Sequence, residues 1–266
     1  MLDIGYSIDL PNNYNEKIKE YFNSIQIMFS STKISINDIN NINKFLKNNK
    51  HLKYIFIHSS YKINIGSDFI SNKNEFFSSS FELFQNEINY MKKFKLNNII
   101  IHTGKNKGNI FTKEHVLNNM YNFIKYSLDT FDINIILETS SGQGSETLSN
   151  LEDFIKFILK FKNHKKYKNL GICIDTCHIF QAGYDLNNST VIKKIHKMFE
   201  SVENKIKVIH LNDSYYEMGM KIDRHENIGK GHIKVSKLKK FISKYTKIPL
   251  ILETSKSYKK QMELIM

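Results

Sequence analysis

Eight short apolar runs alternating with longer polar or amphipathic segments predict an α/β protein, a single closed (β/α)8 barrel. Three observations carry this expectation. The runs are rich in Ile, Val and Phe and almost uninterrupted, as suits parallel strands buried on both faces. The segments between them are long enough for a helix and several repeat at helical spacing. No Gly-, Ser- or Pro-rich linker divides the 266 residues, and about 250 residues is the usual length of one such barrel. One domain over 1–266 is expected, with the active site at the C-terminal ends of the strands.

Strands are expected over 3–8, 24–29, 53–58, 97–102, 133–138, 170–175, 206–211 and 249–253. Helices are expected over 13–22, 36–49, 75–95, 113–128, 148–162, 190–204, 236–245 and, short, 257–266. In the third, Phe77, Phe81, Phe84, Ile88, Met91 and Phe94 step by three or four residues, one face of a helix and therefore core. Ser236 reads as an N-cap, with Leu238, Phe241 and Ile242 on the inner side of its helix.

Composition bounds the function class. A formal charge of +13 favours polyanionic partners, since Lys and Arg contacts to phosphate give sequence-independent affinity. With two prolines and many Asn, Lys and Ile, part of that charge reflects coding bias, and a merely lysine-rich soluble surface is the competing reading. Cys173 and Cys177, the two cysteines, lie too far apart along an extended segment to bridge. Buried thiols fit a reducing compartment. The N-terminus has no basic stretch followed by an apolar one, and no run approaches the roughly 20 residues that span a bilayer. A soluble intracellular protein without membrane contact is expected, with cytoplasm, nucleus and a viral setting all left open.

The ends of the expected strands carry the chemistry. His58, His102, Glu138, Asp175, His210 and Glu253 close strands three to eight, or stand one residue short of the end, at intervals of 35 to 44 residues. A lone His or carboxylate there is usually a hydrogen-bonded rim residue or a helix cap. Six in succession would converge on one mouth, where clustered carboxylates repel unless a cation lies between them. His178 follows Asp175 by three residues, and Asp223 and His225, two apart, face one side of an extended loop. Arg224 then faces away or reaches for a phosphate. Nine imidazoles and carboxylates with no thiolate suit a catalytic zinc site, with Mn2+ or Fe2+ as alternatives. His51, His115, His164, His196 and His232 fall in expected helices or loops and read as surface or structural.

Several blocks together resemble the endonuclease IV family of apurinic/apyrimidinic (AP) endonucleases, along the whole barrel. They are His58-Ser59-Ser60-Tyr61-Lys62-Ile63-Asn64-Ile65-Gly66, Glu138 through Ser145, Gly171 through His178, His210-Leu211-Asn212-Asp213, Asp223-Arg224-His225 with Gly229 and Gly231, and Pro249 through Thr254. The resemblance implies a TIM barrel holding three zinc ions. One would be held by His58, His102 and Glu138. A second would be held by Glu138, as a bridge, with Asp175, His210 and Glu253, and the third by His178, Asp223 and His225. It implies catalysis at Glu138, Asp175 and Glu253 through metal-held water, and DNA contact at Tyr61, Lys62, Lys105 and Arg224. The implied substrate is double-stranded DNA, cut 5′ to an abasic site to leave a 3′-hydroxyl and a 5′-deoxyribose phosphate. Trimming of blocked 3′ ends is implied as well, and a monomer is expected.

Departures from the family pattern fall where DNA is gripped. Lys62 replaces an apolar wedge and Tyr215 replaces a lysine, while Ser30-Ser31-Thr32-Lys33 lacks the usual basic and polar pattern. Two other readings stand beside the first. A metal-dependent sugar isomerase or epimerase on a related barrel would need only Glu138, Asp175, His210 and Glu253. A non-catalytic DNA-binding relative would have no use for an intact set of nine.

Overall fold

The computed structural model describes residues 2–9, 18–29, 35–67, 70–72, 75–77, 79–254 and 257–266. Eight parallel strands close into one barrel: β1 (Ile4–Asp9), β2 (Ser24–Met28), β3 (Tyr54–His58), β4 (Asn98–Ile101), β5 (Asn134–Glu138), β6 (Leu170–Asp175), β7 (Ile206–His210) and β8 (Leu250–Leu252). Each pairs with its neighbours in sequence, and β8 closes on β1 with Ile4 beside Leu250 and Tyr6 beside Leu252. All eight lie where the apolar runs place them.

Helices follow the strands: α1 (Ile36–Asn48), α2 (Ser79–Phe94), α3 (Lys113–Thr130), α4 (Leu151–Leu159), α5 (Thr176–Gln181), α6 (Ser189–Phe199), α7 (Val235–Ile242) and α8 (Tyr258–Ile265). Ser35 caps α1 in a reciprocal box with Asp38, and Asn150 caps α4 through the Asp153 amide. Among the described residues no helix is long and apolar enough to cross a membrane.

Four local expectations are corrected. Of the helix expected over 13–22, residues 13–17 lie outside the described residues. The remainder is a turn, in which the Phe22 amide donates to the Lys19 carbonyl and Asn49 accepts the Ile18 amide, so no helical ladder continues there. Residues 75–77 pair antiparallel with 70–72, so Phe77 belongs to a hairpin ahead of α2, in phase with its apolar face by coincidence. Lys234, with no side-chain bond, stands at the N-cap of α7, and Ser236 is already inside the first turn. The short helix α5 begins directly at Asp175, in a segment read from sequence as loop.

The barrel interior explains how the strand ends point. Phe56, Ile100, Ile136, Cys173, Val208 and Ile251, one from each of β3 to β8, form a small apolar cluster separate from the main core under the helices. Side chains alternate along a strand with period two. Two residues beyond each member of that cluster stand His58, His102, Glu138, Asp175, His210 and Glu253. The six therefore form the next layer of the same interior, at the C-terminal mouth.

Candidate metal centre

At that mouth the nine expected side chains gather into three groups, each with donor atoms within 4.8 Å of one another. In the first, Glu138 Oε2 lies 3.1 Å from His58 Nε2 and 3.6 Å from His102 Nε2. In the second, His210 Nδ1 lies 2.8 Å from Glu138 Oε1, 2.9 Å from Glu253 Oε2 and 3.7 Å from Asp175 Oδ2. In the third, Asp223 Oδ1 lies 3.1 Å from His178 Nε2 and 3.3 Å from His225 Nε2. Glu138 thus offers one oxygen to the first group and the other to the second. Asp175 reaches the third, with Oδ2 3.4 Å from His225 Nε2.

Local structure aims each donor. The Asp175 Oδ1 oxygen accepts the His178 amide at 2.9 Å, capping α5, which leaves Oδ2 for the mouth. His225 sits in a two-residue ladder, His225–Glu226 against Asp213–Ser214. Asp213, fully buried, accepts the amides of Gly229, Gly231, Ile233 and Ser214 and so ties down the returning loop. A Cβ on Gly231 would stand 2.3 Å from the Ser214 carbonyl oxygen, so only glycine allows that approach.

The rings are fixed from behind. His58 Nδ1 donates to the Ser59 carbonyl at 2.9 Å and His178 Nδ1 to the Thr139 carbonyl at 2.8 Å, which leaves each Nε2 lone pair for the centre. A buried nitrogen without a hydrogen-bond partner is rare in a folded protein. His102 Nε2 and His178 Nε2 are both in that condition, and both face carboxylates. Electron-pair donors aimed at anionic oxygens across a gap are the arrangement a cation completes, so these residues fit divalent metal.

Electrostatics agree. Burial alone would raise the Glu138 carboxyl, yet His210 and His102 hold it well below the usual carboxylate range. Asp223, opposed by His178 and His225, and Glu253, opposed chiefly by His210, are likewise held low against burial. Burial would lower His178 and His210, but Asp175 and Asp223 raise the first, and Cys173, Glu253 and Glu138 the second, well above the ordinary imidazole value. Cys173 and Cys177 are free and buried, and burial pushes the Cys173 thiol up to about 12 and that of Cys177 higher still. At neutral pH both are protonated thiols, and Cys177 Sγ donates to the Arg224 carbonyl at 3.7 Å.

The residues expected to touch DNA divide. Tyr61 is 61% exposed, its ring 5.1 Å from that of His102 and 5.9 Å from that of His58, so it overhangs the first group. Exposed Lys62 joins it at the rim of a cavity of about 360 Å3 that reaches Ser7, Asp9, Met28 and Glu253. Arg224 is exposed, and Tyr215, on the same loop, is 53% exposed. Lys105 is engaged with Glu146 at 3.2 Å. The loop expectation at Ser30-Ser31-Thr32-Lys33 lies outside the described residues. None of His51, His115, His164, His196 and His232 joins the three groups among the described residues.

Three amides to which the sequence assigns no role hold the site together. Asn212 donates to Asp175 Oδ2 at 2.7 Å and to Glu253 Oε2 at 3.2 Å, and accepts the Glu253 amide. Gln143 accepts the Asp223 amide at 2.8 Å, while its own amide donates to Glu146. Gln26, buried on β2, lies between His210 and Glu253. Amides have no titration signature, and these contacts join distant segments. The Asn212 and Gln143 positions within quoted blocks were the only sequence signal.

A family model described as a xylose isomerase-like TIM barrel matches residues 16–265. A probable endonuclease 4 of Sulfurihydrogenibium sp. is 33% identical over 217 residues, covering 79% of this chain and 74% of the relative. One of Thermosipho melanesiensis is 38% identical over 203 residues, covering 74% and 68%. The crystal structure of endonuclease IV from Thermus thermophilus superposes with a TM-score of 0.74 over 99% of this chain and 96% of that one. At 18% identity that likeness speaks for the fold alone.

Proposed function

This chain belongs to the endonuclease 4 family of xylose isomerase-like TIM barrels, and on that premise we propose that it is a metal-dependent AP endonuclease. It hydrolyses the phosphodiester 5′ to an abasic site in double-stranded DNA, leaving a 3′-hydroxyl and a 5′-deoxyribose phosphate, and it trims blocked 3′ ends. The observation that carries the reading is the assembly of nine imidazole and carboxylate side chains into three groups at one mouth.

His58, His102 and Glu138 would hold one ion, Glu138, Asp175, His210 and Glu253 a second, and His178, Asp223 and His225 a third. Zinc suits this donor set, with manganese or iron(II) as substitutes. Bound there, divalent ions would supply an activated water and neutralise charge on the phosphodiester in the transition state.

The chain's own residues set the geometry. Glu138 ties two groups by its two oxygens, and Asp175 with His178 ties the second to the third across one turn of α5. Exposed Lys62 and Arg224 grip phosphates on either side, and Tyr61 enters the gap that a missing base leaves. A sugar isomerase or epimerase would use the second group alone, and it has no task for the first and third.

The test is incubation with a duplex containing one abasic site, with and without a strong chelator, followed by end-group analysis. Cleavage 5′ to the lesion, abolished by chelator and restored by zinc, is expected. Chelator-resistant cleavage, or an unsaturated 3′ end from β-elimination, would overturn the reading.

A further inference from the structure

Glu253 and His210 both reach the second group from strands near the barrel seam, and one buried side chain lies against the back of each. Gln26, on β2, has no exposed surface, and β2 carries none of the nine clustered residues. Its amide oxygen is 2.8 Å from His210 Nε2. Its amide nitrogen is 2.6 Å from Glu253 Oε1 and 3.2 Å from Ser7 Oγ.

A carboxamide has a donor end and an acceptor end. Turned the other way, its oxygen would face the Glu253 carboxylate, two acceptors with no proton between them. The nitrogen therefore faces Glu253 and the oxygen faces His210, which obliges Nε2 of His210 to carry the proton. With a cation bound between these groups, the lone pair offered to it is then the one on Nδ1, the atom 2.8 Å from Glu138 and 2.9 Å from Glu253.

We propose that Gln26 is a positioning residue of the second group, fixing His210 in the Nε2–H form and, with Asn212, Glu253 in the orientation that turns Oε2 toward the mouth. The proposal rests on the metal-binding reading above and is independent of the DNA substrate. His210 differs in this respect from His58, His178 and His225. Their outer nitrogens meet the backbone carbonyls of Ser59, Thr139 and Glu253, which no substitution removes. For His210 the outer nitrogen Nε2 meets a side-chain oxygen instead, one that substitution can remove. Leucine at position 26 fills similar space and offers neither end. Glutamate restores the acceptor for His210 but sets a second carboxylate against Glu253.

The test uses zinc-loaded protein labelled with 15N at histidine, with tautomers read from long-range 1H–15N correlations. Zinc affinity is read in parallel by competition with a chelator, and folding by circular dichroism. In the native chain His210 should show a protonated Nε2. In Gln26→Leu that signal should be lost or mixed, with His58 and His178 unchanged, and the zinc held by His210 and Glu253 should bind about 10–100-fold less tightly. Gln26→Glu should restore the tautomer and recover the affinity only in part. A native His210 protonated on Nδ1, or a Gln26→Leu protein with unchanged tautomer and affinity, would overturn the proposal. If Gln26→Leu fails to fold, the native tautomer and the Gln26→Glu spectrum decide the matter. A native protein that incises no abasic DNA yet shows these spectra would leave the positioning role standing and sink only the substrate.

Discussion

Two layers of the barrel interior differ by one pleat and share nothing chemically. In the lower, Phe56, Ile100, Ile136, Cys173, Val208 and Ile251 fill the interior with apolar volume. About 6.6 Å higher, at two strand residues of rise, the same six strands present three imidazoles and three carboxylates. The lower layer is buried, and so is the upper one except for His102 and Glu253, which are partly exposed. The lower one needs only shape, whereas the upper one needs a compensating charge for every group it buries. Structure and chemistry are therefore separable here by a step of two residues along each strand.

The largest effect should come from the upper layer. Glu138→Ala removes the carboxylate shared by two groups. Turnover on abasic duplex should fall by more than about 100-fold, beyond the usual loss for a residue that only supports a ligand. Metal content, measured by atomic spectroscopy, should fall with it. Near-normal turnover or metal content would erase the distinction between the layers.

Ile100→Ala tests the converse in the lower layer. It should cost about 2–5 kcal/mol in urea denaturation, with metal content per folded chain unchanged. Loss of metal without loss of stability would show that the apolar layer itself shapes the site.

Next is an acid outside both layers. Glu87 on α2 is buried and accepts the Ser60 amide at 3.0 Å, beneath the loop that carries Tyr61, while its Oε2 has no partner. Burial pushes its carboxyl up to about 8, the reverse of Glu138, Asp223 and Glu253, which face imidazoles. With the folded value above the unfolded one, the protonated form is the one that folding favours. Its contribution is full below about pH 4.5 and is lost as pH rises towards 8. Glu87→Gln should therefore stabilise the chain more at pH 8 than at pH 5 in paired thermal melts, and an equal shift at both would refute the assignment.

The smallest effect is expected at the rim. Arg224→Ala should lower the slope of log affinity against log salt by about one for uncut DNA. Stability should stay within about 0.5 kcal/mol. An unchanged salt slope would remove Arg224 from the DNA surface.

Much of both layers was legible in the sequence because they share one register. Continuous Ile-rich runs announced β4 and β5, and their closing His102 and Glu138 stood at the interval of one βα unit. The step from Ile100 to His102, repeated from Ile136 to Glu138, was present in the chain and is what makes the six converge. Phe77 misled because helical phase extends by chance into a hairpin. Helix α5 was hidden because six residues carry too little periodicity, although Asp175 followed three residues later by His178 is the spacing of a capped first turn. Gln26 left no trace, since its meaning depends on a residue 227 positions away.

That separation also sets an order in time. His58, His102 and Glu138 emerge from the ribosome with β3 to β5, early enough to gather as soon as those strands associate. The Gln26 amide must wait for Glu253, roughly 10–45 s at a synthesis rate of about 5–20 residues per second. The barrel seam closes on the same last strand. A nascent chain therefore carries the makings of its first group long before the second can exist, and translation itself delays the assembly of a complete nuclease until the barrel can shut.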